Sequence, residues 1–106
     1  MTAEPTWTDA CAADDIDADD VIRYDHGTRT FAIYRTEDDD YFCTDGLCTH
    51  EKIHLADGLL MGTVIECPKH NGRFDVRSGA AKGAPVCVDL ATYPVKLSNG
   101  RVLILI

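Results

Sequence analysis

The sequence predicts an all-β fold. Three observations carry that reading. Short runs rich in β-branched and aromatic residues recur along the chain, each bounded by Gly, Asp or Asn. Asn99-Gly100 separates two apolar runs near the end, a strong hairpin signal. No stretch of helical length repeats its apolar residues every 3.6 positions.

In chain order, the first run is Asp20-Val21-Ile22-Arg23-Tyr24. His26-Gly27 then turns the chain into Thr30-Phe31-Ala32-Ile33-Tyr34. Asp38-Asp39-Asp40 reads as a hairpin tip leading into Asp40-Tyr41-Phe42-Cys43-Thr44. Thr63-Val64-Ile65-Glu66 runs directly into Cys67, and Gly72-Arg73-Phe74-Asp75-Val76 follows it. The last two runs are Tyr93-Pro94-Val95-Lys96-Leu97 and Arg101-Val102-Leu103-Ile104-Leu105. The acidic stretch from Asp14 to Asp20 is broken by Ile16 and Ala18, so it reads as a turn entering a strand. Several short strands with turn signals between them indicate a small sandwich or barrel. From about Gly46 to Gly83 the chain is richer in Gly, Cys and His and poorer in strand, as expected of a loop-built lobe on a β base.

A length of 106 residues fits a single domain over 1–106, with the lobe at about 46–83 inside it. A net charge of −8 disfavours nucleic acid, whose phosphates attract Lys and Arg. No apolar run approaches the roughly 18 residues of a membrane span. The first residues have neither a basic start nor an apolar core, so no signal peptide is expected there. A cytoplasmic setting follows, and five cysteines in it point to metal or redox chemistry before disulfides.

Two motifs carry that chemistry, Cys48-Thr49-His50 and Cys67-Pro68-Lys69-His70, with sixteen residues between His50 and Cys67. Each supplies one thiolate and one imidazole. Two Cys and two His form a possible tetrahedral zinc set, and a structural zinc module that binds another protein is the alternative reading. Zinc fingers, however, usually place the two Cys together and the two His together. Alternation within each motif suits a two-iron cluster, with both thiolates on one iron and both imidazoles on the other. Neutral imidazoles in place of anionic thiolates lower the negative charge around the irons. Adding an electron then costs less, and the His-bound iron is the one expected to take it.

With Gly72 and Phe74 nearby, this motif pair resembles the Rieske ferredoxin family, and the resemblance covers essentially the whole chain. The run from Cys67 to Asp75 is also similar to a branch linked to rhizopine catabolism. The resemblance implies an antiparallel β sandwich base with a loop-rich cluster-binding lobe. It implies one Rieske-type [2Fe–2S] cluster on Cys48, His50, Cys67 and His70. His50 and His70 would form the exposed electron exit, Cys48 and Cys67 the inner pair, and Pro85 would cover a third side. It implies a soluble, monomeric one-electron carrier without catalytic residues of its own. Such a carrier would take electrons from a flavin-dependent NAD(P)H reductase and pass them to a terminal oxygenase. A di-iron hydroxylase or desaturase is the acceptor that the rhizopine-type branch suggests. The small subunit of a nitrite reductase has similar length, but members of that group often lack the ligands that are intact here.

Departures from the high-potential members matter. Their inter-loop disulfide would fall at Ile53 and Lys69, and their hydroxyl-bearing Ser and Tyr at Gly72 and Phe74. Without those hydrogen bonds the expected potential is near the low end of the Rieske range, about −150 mV. Cys11, Cys43 and Cys87 read as buried small hydrophobes. His54 reads as a surface residue or a support beside the first loop, and His26 as a turn residue. Lys52, Lys69 and Arg73 place basic charge in or beside the ligand loops of an acidic chain.

Overall fold

The computed structural model describes residues 4–49, 52–69, 71–83 and 88–106. Among the described residues ten strands follow one another: β1 Trp7–Ala12, β2 Asp20–His26, β3 Arg29–Arg35, β4 Tyr41–Asp45, β5 Leu59–Met61, β6 Val64–Glu66, β7 Arg73–Asp75, β8 Thr92–Tyr93, β9 Val95–Ser98 and β10 Arg101–Leu105. They form three antiparallel sheets, ordered β1-β10-β9, β2-β3-β4-β8 and β5-β6-β7. Among the described residues no helix is long and apolar enough to cross a membrane.

β3 organises the molecule. Its residues Phe31, Ala32, Ile33 and Tyr34 are all fully buried. Phe31 and Ile33 face one core with Cys11, Ile16, Cys43, Val102 and Ile104. Ala32 and Tyr34 face the other, with Leu55, Ile65, Phe74, Val76, Cys48 and Cys67. Successive side chains leave a strand on opposite faces. An unbroken apolar run therefore means that both faces of the central sheet are covered. The β1-β10-β9 sheet covers one face and the lobe covers the other. Full burial of each large side chain contributes about 1.5–3 kcal/mol, so β3 anchors both layers.

The β9–β10 and β3–β4 turns fall where the sequence indicates them, whereas His26, read as a turn residue, ends β2 opposite Arg29. Asn99 (φ 52°) and Gly100 (φ 75°) form the β9–β10 turn, with both central residues left-handed as a two-residue type I′ hairpin requires. At the β3–β4 tip Asp39 has φ 64°, and the amide of Asp40 bonds the Thr36 hydroxyl. The acidic stretch opens with a 3₁₀ turn, Ala13–Asp15, before β2.

Three features differ from the sequence reading. Trp7–Ala12 is a strand, closed against β10 at the other end of the chain. Its exposed and half-buried alternation, with only Cys11 buried, gives a weak apolar signal. The run from Tyr93 to Leu97 is two strands rather than one: β8 pairs with β4, whereas β9 pairs with β10 in another sheet. Pro94 sits at the switch because it has no N–H for a ladder, while its carbonyl still accepts from Leu105. The lobe, finally, adds a strand at Leu59–Met61 to the two runs the sequence indicates there, and the three form a sheet of three-residue strands.

Candidate metal centre

Two loops bear the motifs. The first leaves β4, and its base is closed by a bridge between Leu47 and His54. Within it the Cys48 amide donates to the Ile53 carbonyl at 3.0 Å, and the Leu55 amide to Gly46 at 2.8 Å. The second loop extends the β6–β7 hairpin, where the Cys67 amide donates to the Gly72 carbonyl at 2.7 Å. In both, the cysteine amide bonds the carbonyl five residues on. Each closure fixes where its thiol projects.

Cys48 is 4% exposed and Cys67 is fully buried, and both belong to the core between the lobe and β3. His50, His70, Pro85 and Cys87 lie outside the described residues. Among the described residues no three His, Cys, Asp or Glu converge on a metal position. The donor chemistry that is described fits an iron–sulfur cluster: Cys48 and Cys67, two thiols buried in the same core, are soft ligands of the kind iron–sulfur clusters use. Ile53 and Lys69 allow no bridge between the loops, as expected.

The other described cysteines stand apart. Cys11 and Cys43 are buried in the opposite core. Burial pushes the Cys43 thiol up to about 12, with Asp45 acting in the same direction. Burial also raises Cys11, helped by Asp15. Protonated thiols do not ligate or react, so both act as small apolar residues.

His54 is not a surface residue: it is 5% exposed. Its Nδ1 accepts the Ala56 amide at 3.0 Å, which leaves the proton on Nε2. Nε2–H points to the Thr30 hydroxyl at 2.8 Å, and that hydroxyl donates to Asp25 at 2.6 Å. Burial holds the imidazole below the usual histidine range; Arg23 adds to this, against Asp25 and Asp57. The Asp25 carboxyl is lowered by the Thr30 hydroxyl bond and then by Arg23. One sequence sign was available: a histidine four residues past the first motif, inside an otherwise apolar Ile53–Ala56 stretch.

A family model for the Rieske [2Fe-2S] domain matches residues 6–94. The chain belongs to that family. The ferredoxin component of naphthalene 1,2-dioxygenase/salicylate 5-hydroxylase systems from Ralstonia sp is 45% identical over 98 residues, covering 92% of this chain and 93% of that one. A ferredoxin from Sphingomonas yanoikuyae B1 superposes with a TM-score of 0.88 at 36% identity, over 94% of this chain and 98% of the other. The ferredoxin in a complex of reduced oxygenase and oxidized ferredoxin of carbazole 1,9a-dioxygenase superposes with a TM-score of 0.87 at 34% identity, over 93% and 92%. The cofactor of this Rieske ferredoxin is the [2Fe–2S] cluster, which when bound supplies reversible one-electron chemistry. Its function is electron transfer, and it is a carrier component rather than an enzyme by itself.

Proposed function

We propose that Cys48, His50, Cys67 and His70 hold the cluster, and that the chain carries single electrons from a flavin-dependent NAD(P)H reductase to a terminal oxygenase. One observation carries the ligand assignment: the matched pair of loops, each closed by its own cysteine amide, with Cys48 and Cys67 buried in the same core. Each motif histidine follows its cysteine before the loop closes, two residues on in the first loop and three in the second. The thiolates would be the inner ligands, shielded from water by Leu55, Ile65 and Phe74. The imidazoles would face the partner. The relatives named as dioxygenase ferredoxins support a terminal oxygenase as acceptor over a di-iron hydroxylase. A monomer working in the cytoplasm completes this reading.

The test is low-temperature EPR of the dithionite-reduced protein, with iron and zinc measured on the same sample. Two irons per chain and a rhombic signal whose average g lies below that of all-Cys clusters support the ligand set. One zinc per chain and no signal, after anaerobic purification, would replace it with a structural metal site. Reduction by NADH through an added ferredoxin reductase, followed by reoxidation with a dioxygenase, tests the direction of transfer.

A further inference from the structure

We propose that His54 is a positioning residue, a neutral imidazole that ties the base of the first ligand loop through Thr30 to Asp25 and so holds Cys48 in register with the second loop. This rests on the ligand assignment above, and it concerns a residue outside both motifs.

The geometry gives each group one role. The Ala56 amide is a donor, so Nδ1 of His54 must accept and Nε2 must carry the proton. Asp25 is ionised and accepts only, so the Thr30 hydrogen goes to it at 2.6 Å and the Thr30 oxygen receives from Nε2–H. Asp25 is held in turn by Arg23 Nε at 3.0 and 3.2 Å. Asp25 and Thr30 are register partners on β2 and β3. The chain of bonds therefore runs from the lobe, across β3, to the far strand of the hairpin.

Position 46 is shaped around this link. A Cβ on Gly46 would lie 2.5 Å from His54 Nε2 and 3.0 Å from the Thr30 carbonyl carbon. Any other residue there would displace the ring from Thr30. Gly46 also donates its amide to the Thr30 carbonyl and accepts from Leu55. The strand that starts the loop and the imidazole that ends it thus meet at the same residue of β3. Cys48 lies two residues beyond Gly46, so displacement at this junction passes directly to a thiol ligand.

A histidine that merely filled space would be indifferent to losing the Thr30 hydroxyl. Thr30→Val removes the hydroxyl, keeps the branched shape and suits a strand. His54→Asn keeps an acceptor for Ala56 but cannot reach Thr30. Thr30→Ser restores the link. Each variant would be compared with wild type as the iron-loaded protein, by the g values of the reduced state, the potential, and the rate of cluster loss to a chelator. Amide exchange at Cys48 and Leu55, read by mass spectrometry, adds a measure that needs no cluster. We expect Thr30→Val and His54→Asn each to shift the g values, to release iron at least five-fold faster and to speed both amides about ten-fold. The double variant should add little to either single one, and Thr30→Ser should behave as wild type. Wild-type exchange, potential and spectrum in Thr30→Val would overturn the proposal, even if His54→Asn folds poorly. A wild-type protein without two irons would instead defeat the ligand assignment, and the exchange rates would still decide the tie.

Discussion

The amide of Cys67 donates to the carbonyl of Gly72 at 2.7 Å, across the span in which Lys69 and His70 fall. This bond continues the β6–β7 ladder by one step, so the thiol leaves from the end of a strand rather than from a free loop. The first loop repeats the pattern from Cys48 to Ile53. Both cysteines are thus held by backbone bonds of the chain itself.

Removing either thiol should abolish the cluster. Cys48→Ser and Cys67→Ser are expected to drop iron from two per chain to nearly none. Cys11→Ser and Cys43→Ser should keep it, because those residues lie in the other core. Iron assay and visible absorbance on the four purified proteins check this.

Phe74 is fully buried in the core that contains Cys67, and Gly72 is buried beside it. Neither offers a hydroxyl. Gly72→Ser with Phe74→Tyr should raise the potential from the low end of a range of about −150 to +300 mV, because hydrogen bonds to sulfur stabilise the added electron. Voltammetry reads the shift. If the new hydroxyls find no sulfur, the potential stays unchanged and stability falls by about 1–3 kcal/mol per unsatisfied group.

Acid should weaken the fold through His54. Its folded pKa lies below the unfolded value, because burial opposes charging. The unfolded chain then binds the proton more readily. The stabilising contribution is complete above the unfolded pKa of about 6.5, declines as pH falls below it, and stops changing below the folded pKa. Denaturant unfolding between pH 8 and pH 5 should show this decline, and a His54→Gln variant should flatten it.

The thiols of Cys11 and Cys43 should resist alkylation. With Cys43 raised to about 12, almost none of its thiolate exists at pH 8, and Cys11 is raised in the same direction by burial. Iodoacetamide followed by mass spectrometry should leave both unmodified in native protein and label both in denaturant.

Charge should steer encounter with the acceptor. Asp38, Asp39 and Asp40 lie at the end of the central sheet where Arg35 pairs with Asp20 and Tyr41. The first motif-bearing loop leaves the opposite end, at Asp45. Lys52 and Lys69 are exposed on the two motif-bearing loops. Lys69→Glu should change the association rate with the oxygenase a few-fold at low salt, fading as salt screens the field, and leave the potential nearly unchanged. Stopped-flow reoxidation across ionic strength measures both effects.

Much of this was legible in the residues themselves. The alternation of Cys and His in two motifs limits the metal chemistry because ligand type and spacing are covalent facts of the chain. Asn99-Gly100 and Asp38–Asp40 act locally, since their backbone preferences need no distant partner. Tertiary structure alone decided the rest. Trp7–Ala12 becomes a strand only because β10 supplies its ladder, and the run around Pro94 divides because two different sheets claim its halves. His54 looks ordinary beside the first motif until folding brings Thr30, 24 residues away, within 2.8 Å of it. A hydrogen bond across that separation depends on strand register, and register is set by which faces of β3 the two cores bury.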